Sequence, residues 1–304
     1  MTAARPTVSA VIAVHNGSAK IGAALASVHA QTVPVDEIIV VDDGSTDDPA
    51  RVVDARCDAR IVFIRQENRG GGAARNAGIE RARGRFVAFL DSDDEYLPHH
   101  LAAMRRLLEH APNTVGYARV VVDRGEGRTF LKPPRAIAEG EDMAVYLLCR
   151  RGFVPINTVV VERALAQSIR FHESLPAAED TDFAIRCALS GARFAMAEAP
   201  GARWRDVEDP NRLSSGRRGA SMRQWIEALR PRIPSKAYYG CLGWAYAKCI
   251  AANDAYGALQ LYLGAIMRGC YRPRLAGIIF LQIFLPDSTY RRLADFAIAR
   301  FRAG

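Results

Sequence analysis

The chain has 304 residues, 49% of them apolar, and a formal net charge of +8 carried almost wholly by arginine, since lysine occurs only at 20, 132, 236 and 248. This is a globular composition with room for a large core in one large domain or two ordinary ones, and no apolar run reaches the eighteen or so residues of a membrane-spanning helix. The charge implies attraction to nucleotide phosphates, an anionic membrane face or nucleic acid, but no dense basic run with interleaved aromatics supports the last of these. Cysteines stand at 57, 149, 187, 241, 249 and 270 without a C-x-x-C or zinc spacing. Buried free thiols in a reducing, cytosolic compartment are expected.

Val8–Val14 predicts a buried strand; a signal-peptide core would end in small residues, whereas this run ends in His15-Asn16-Gly17. Ser18 opens a helix with Ile21, Leu25 and Val28 at helical spacing. A second strand over 37–41 ends in Asp42-Asp43-Gly44-Ser45-Thr46-Asp47-Asp48, with Pro49 in the first turn of a helix. A third strand covers 61–64, a glycine-rich loop 66–72 leads into a helix over 73–83, and residues 86–90 are the fourth strand. Strand alternating with helix predicts a doubly wound, mostly parallel sheet, with ligands bound outside the carboxyl ends of its strands. His15 and Asn16, Asp42 and Asp43, and Asp91 and Asp93 all fall at those ends. Beyond them come an amphipathic helix over 98–110, a strand over 115–123 turning through Gly125 and Gly127, a helix over 139–150, a strand over 156–161, helix Glu179–Leu189 and a strand over 193–199. The polar stretch 206–218 marks a boundary. The domains expected are therefore an α/β unit over 1–205 and an all-helical extension over 206–304, its helices spanning 222–229, 236–252, 255–268, 275–285 and 289–301.

The chemistry concentrates at Asp91-Ser92-Asp93-Asp94-Glu95, directly after an unbroken apolar strand. Carboxylates this close repel unless a cation or hydrogen-bond donors offset them, and hard oxygen ligands without nearby Cys or His favour Mg²⁺ or Mn²⁺, completed by substrate phosphates and water. The alternative is an acidic turn before a helix near Pro98. Gly70-Gly71-Gly72-Ala73-Ala74-Arg75 has the look of a dinucleotide fingerprint, but it follows the third strand rather than the first, and no G-x-x-x-x-G-K-[ST] loop is present.

Four stretches together, Pro6 to Asn16, Val41-Asp42-Asp43-Gly44-Ser45-Thr46-Asp47, Asn68-Arg69-Gly70 with Ala74-Arg75-Asn76-Ala77-Gly78, and Phe89-Leu90-Asp91-Ser92-Asp93-Asp94, resemble the family-2 glycosyltransferases of the GT-A fold. The resemblance covers roughly 6 to 205 and implies a metal-dependent, inverting transferase using a nucleoside-diphosphate sugar. It implies that Asp91-Ser92-Asp93 is the Asp-x-Asp motif, touching donor ribose and, through Asp93, the metal. It gives Asp43 the base, where a carboxylate accepts from uracil N3–H. Ala13, His15 and Asn16 fall to the nucleotide pocket, with a strand-capping loop histidine as the alternative for His15. Arg75 falls near the nucleotide, with an exposed helical arginine as the alternative. Asp180, in the Glu179-Asp180 pair, is implied as catalytic base, although Glu179, Asp180 and Asp182 also suit a helix N-terminus for dipole reasons alone. Trp204-Arg205-Asp206-Val207 has valine where many members carry a metal-reaching histidine, which leaves Arg205 as the candidate diphosphate contact.

The sequence thus predicts a GT-A glycosyltransferase with a C-terminal helical extension, using Mn²⁺ or Mg²⁺ and a UDP-linked sugar. A glycan or lipid-linked acceptor is expected, in surface polysaccharide or glycolipid assembly, and nucleic acid is not an expected partner. A non-catalytic nucleotide-sugar-binding or scaffold relative is the alternative, and a sugar-nucleotide pyrophosphorylase would need a phosphate loop after the first strand that is absent. The location expected is cytoplasmic, peripheral on the inner membrane face if the apolar tail helices and the Arg-bearing turn 268–274 contact lipid; the alternative is that they pack on the catalytic part or a second subunit.

Overall fold

Three apolar runs form the centre of the structure: β1 (Val8–Val14), β2 (Glu37–Asp43) and β4 (Phe86–Asp91) are buried almost throughout, as strands covered on both faces must be. The computed structural model describes residues 7–175, 178–206 and 219–302. Within them β1 lies parallel to both β2 and β4, and β2 to β3 (Ile61–Gln66). The seven-stranded sheet is completed by β6 (Thr114–Tyr117), β9 (Val160–Glu162) and β10 (Arg193–Met196), in the order β10-β6-β9-β4-β1-β2-β3. Only β9 runs antiparallel to its neighbours. The expected mostly parallel α/β sheet flanked by helices is the fold observed.

Alternate residues along the strands feed two cores. Ala10, Ile12, Ile38, Val40, Ala88 and Leu90 pack under α1 (Ser18–His29) and α4 (His100–Leu108). Val11, Ile39, Val41, Val87 and Phe89 pack under α3 (Gly71–Arg81), α5 (Met143–Cys149) and α7 (Glu179–Leu189). The short α2 (Pro49–Asp54) and α6 (Arg163–Ile169) complete the α/β part.

Two details depart from the expected elements. The run 115–123 is not one strand: β6 stops at Tyr117, and β7 (Val120–Asp123) belongs to a second, four-stranded sheet with β5 (Glu95–Tyr96), β8 (Thr129–Lys132) and β11 (Ala202–Arg205). At the break the Thr158 hydroxyl bonds both the backbone N–H and the carbonyl of Ala118, taking the place of a strand partner there. Residues 156–158 are a 3-10 turn rather than strand. The expected boundary at 206–218 lies, apart from Asp206, outside the described residues, as do Pro6 and Val207.

Beyond that stretch the chain is helical: α8 (Gly219–Leu229), α9 (Ser235–Cys241) continuing through a π turn at Leu242–Tyr246 into α10 (Ala247–Ile250), α11 (Ala255–Met267), α12 (Pro273–Phe284) and α13 (Asp287–Arg302). These helices share the core of the sheet's α7 face, through Met222, Trp225, Ile226, Tyr238 and Cys241. Cys149 of α5 and Cys270 both donate to the Lys236 carbonyl, stitching the two parts together. Four cysteines are buried free thiols as expected, while Cys57 and Cys249 are exposed. No helix among the described residues is long and apolar enough to cross a membrane.

Candidate functional site

The carboxyl ends of β1, β2 and β4 open onto a cavity of about 750 Å³, closed on its far side by the start of α7. Asp43, at the end of β2, is buried, and its carboxylate accepts from the backbone N–H groups of Arg69 (2.9 Å) and Gly70 (2.7 Å) and from Gln66 Nε2 (2.8 Å). A carboxylate has about four acceptor positions, so one remains for a donor on a ligand. The clasp depends on Gly70, whose φ of 91° is a conformation glycine alone adopts cheaply. His15 Nδ1 donates to the Asp43 carbonyl (2.8 Å), which leaves Nε2 as acceptor beside the amides of Asn16 and Asn68, each 3.2 Å away. Asn16, at φ 49°, accepts from the backbone N–H of Thr46 and donates its own to Ser45 Oγ. The loops after β1 and β2 are thereby locked into one wall. His15 is thus held at the cavity by three residues rather than merely capping a strand.

The Asp91–Glu95 segment divides its labour. Asp91 pairs with Arg75 Nη2 at 2.6 Å, while Arg75 Nη1 reaches Glu179 at 2.5 Å across the cavity. Arg75 is buried, not the exposed helical arginine that its position on α3 allowed. Burial alone would lower its pKa, but Asp91 and Glu179 outweigh that and push it up, so its charge is secure. A Cβ on Gly71 would lie 2.9 Å from the Glu179 carboxylate, so glycine keeps this bridge open. Asp94 points away from the cavity, accepting from Asn157 Nδ2 and the Arg205 N–H, and burial together with Asp91 and Asp93 lifts its pKa well above the carboxylate range. Ser92 and Asp93 line the cavity. Among the described residues no three His, Cys, Asp or Glu side chains cluster to hold an ion by themselves. The donor set suits a hard cation bound by Asp93 with phosphate oxygens and water filling the shell, and the acidic density felt by Asp94 is what such a cation would offset.

Asp180 forms part of the opposite wall. Its hydrogen-bond partner among the described residues is the next residue, through the Thr181 N–H (2.7 Å) and hydroxyl (3.3 Å). Burial, aided by Glu179 and Asp91, raises its pKa against the pull of Thr181 and Arg75. Its two rivals are otherwise engaged: Glu179 is tied to Arg75, and Asp182 is buried against Arg186 (2.6 Å) and the Trp225 indole N–H (2.8 Å).

Ala13, His15, Asn16, Asp43, Arg75, Asp91, Ser92, Asp93 and Asp180 therefore line one cavity. Arg205 does not: its guanidinium lies on Glu95, outside the lining, because β11 pairs with β5 and carries the side chain to that strand's acid. Sequence reasoning places Asn68 and Glu179 in motifs without giving them these parts, and it misses Lys20, Glu173 and Lys132. Glu173 binds Arg69 and the Asn76 amide, anchoring the loop before α7. Lys132 lies 4.7 Å from the ring centroid of Phe153 and 5.1 Å from that of Trp204, within the field of Asp180. Its signal was a lone lysine in an arginine-rich chain.

Residues 9–158 match the family model described as glycosyl transferase family 2. The chain is 31% identical over 244 residues to the amylovoran biosynthesis glycosyltransferase AmsB of Erwinia amylovora, covering 76% of this chain and 80% of that one. It is 30% identical over 181 residues to an Escherichia coli protein named UDP-Glc:alpha-D-GlcNAc-diphosphoundecaprenol beta-1,3-glucosyltransferase WfaP, covering 59% and 68% of the two chains. Residues 1–349 of S. aureus TarS, solved in complex with UDP-GlcNAc, superpose with a TM-score of 0.64 at 18% identity, over 98% of this chain and 92% of that one, which shows a common fold.

Proposed function

The chain belongs to glycosyl transferase family 2, and on that premise we propose that it transfers a sugar from a UDP-linked donor to an acceptor hydroxyl with inversion, in the assembly of a surface polysaccharide or glycolipid. The observation that carries the reading is the single cavity in which Asp43, Asp93 and Asp180 face the same space from three elements. Asp43 accepts from the base, and the amides around His15 order its surroundings. Asp91, held by Arg75, and Ser92 meet the ribose. Asp93 would hold Mn²⁺ or Mg²⁺, which supplies positive charge to the departing diphosphate. Asp180 takes the acceptor's proton as the acceptor oxygen bonds to the anomeric carbon and the bond from that carbon to the diphosphate breaks on the opposite face. Its raised pKa makes it a better base than an ordinary carboxylate. The names of AmsB and WfaP support a polysaccharide or lipid-diphosphate acceptor, and the UDP-GlcNAc bound to TarS supports a UDP donor.

Calorimetric titration of UDP with and without Mn²⁺ tests the reading. Wild type should bind in a metal-dependent way and Asp93→Asn, the same shape without the charge, should bind at least about tenfold more weakly. Equal affinity and equal Mn²⁺ dependence in the variant would remove the metal assignment. UDP-sugar binding without any transfer in the wild type would favour the non-catalytic relative.

A further inference from the structure

We propose that an arginine-lined cavity between the 133–135 segment, the end of α5 and the start of α12 binds the diphosphate of a lipid-linked acceptor; the acceptor role rests on the transferase reading above. The cavity, of about 400 Å³, is separate from the nucleotide site and is lined by Arg135, Arg150, Arg151, Arg272 and Arg274. Arg135 forms a fork with Glu141, at 2.6 and 2.7 Å. The other four have no carboxylate within ion-pair distance among the described residues, whereas Arg60, Arg75, Arg85, Arg124, Arg170 and Arg186 are all paired. Guanidinium groups gathered around one hollow repel unless an anion sits among them. Their planar forks match phosphate oxygens bidentately, and a diphosphate offers enough charge and oxygens to engage several at once.

Two further features choose a lipid over a free anion. The twelve-residue helix α12 begins at this cavity, with Pro273 in its first turn, so its unpaired N–H groups add to the positive field. From there Leu275, Ile278 and Leu281 recur at helical spacing, the last 40% exposed beside Phe280 at 42%, so apolar surface leads directly away from the arginines. A charged headgroup joined to a hydrocarbon chain matches both. Lys132 precedes the Pro133-Pro134-Arg135 segment and lies 4.7 Å from the ring centroid of Phe153 and 5.1 Å from that of Trp204; burial and Arg151 push the pKa of its ammonium down against the pull of Asp206 and Asp180.

The probe is farnesyl diphosphate below its micellar concentration, titrated calorimetrically into the full chain in EDTA, where a metal-dependent nucleotide site is silent. Wild type should bind it more tightly than inorganic pyrophosphate, and the Arg272→Ala/Arg274→Ala double variant should bind it at least about tenfold more weakly while keeping wild-type UDP affinity in Mn²⁺. The UDP arm shows that the variant is folded. Unchanged farnesyl diphosphate affinity in the variant, displacement of the probe by UDP, or equal affinity for pyrophosphate would each overturn the proposal. So would retention on phosphatidylglycerol vesicles without any binding of the probe, which would point to bilayer phosphate. None of these measurements needs turnover, so a chain that binds the probe through these arginines yet transfers no sugar breaks the transferase reading and leaves the site standing.

Discussion

The acidic cluster at the end of β4 and the one opening α7 are built alike, and their likeness is instructive. Each contributes one carboxylate to Arg75, Asp91 from the first and Glu179 from the second. Each buries one in structural hydrogen bonds, Asp94 with Asn157 and Asp182 with Arg186 and Trp225. Each places a further carboxylate, Asp93 and Asp180, on the cavity lining beside the one on Arg75. Identical side chains thus acquire different work from what offsets their charge. The clusters differ in their support: the first rides on a central strand, whereas the second rides on a helix positioned by α3 through Arg75 and by the C-terminal region through Trp225.

The largest effect is expected where the second cluster meets chemistry. Asp180→Asn should lower turnover by about 10² to 10⁴ and leave UDP affinity nearly unchanged. Near-normal turnover, or a product retaining the donor's anomeric configuration, would break the comparison at its catalytic end. The same residue sets the pH response. Because its pKa is raised, the wild-type acid limb of kcat/KM should lie above the range of an ordinary carboxylate, with activity falling as pH drops through it. The linkage has the opposite sign for stability. A raised folded pKa contributes stability that is present below the unfolded pKa and lost as pH rises, so at neutral pH the Asn variant should be at least as stable as wild type. A markedly less stable variant would mean that Asp180 is a structural carboxylate like Asp182.

The bridge between the clusters comes next. Arg75→Met keeps the bulk and strands two carboxylates in a partly buried site, for a loss of about 3–5 kcal/mol in denaturant unfolding. Adding Asp91→Asn and Glu179→Gln to that variant should recover part of the loss, since the cost is uncompensated charge. No recovery would mean that Arg75 acts through packing against Phe171, 5.5 Å from its guanidinium, rather than through the acids. The smallest effect concerns the outer support. Trp225→Phe removes the indole donor from Asp182 but leaves Arg186 in place, and should cost about 1–2 kcal/mol with UDP affinity intact. An unaltered unfolding midpoint would show that the helical region does not brace α7 through this bond.

How much of this was legible follows the range of the interactions. The first ninety residues carry their own signals. Apolar runs give β1, β2 and β4, and the polar residues at their ends, His15 and Asn16 after the first and acids after the other two, give the cavity edge, because a strand buried on both faces places most of its polar residues at its ends. The second sheet was invisible, since its strands are short and β11 joins β5 and β7 from some eighty residues or more further along the chain, and the split at Ala118 depends on a hydroxyl forty residues away. The surroundings of Arg205 were hidden for the same reason: the sequence shows an arginine after a tryptophan, and only the pairing of β11 with β5 reveals that Glu95 takes it.

The sequence by itself determined the α/β core, the helical character of the tail and the placement of Asp43, Asp91 and Asp93 at the carboxyl ends of buried strands. Periodicity and the ends of buried strands are local properties. The tertiary structure decided which carboxylate does what. Asp180 and Asp182 stand two residues apart with the same side chain, and the local difference between them is Arg186, four residues after Asp182 on the same helix. One faces the cavity with its pKa raised, and the other is drawn under α8 to Trp225 and Arg186, because a carboxylate's protonation and reach depend on the groups that distant segments bring to it.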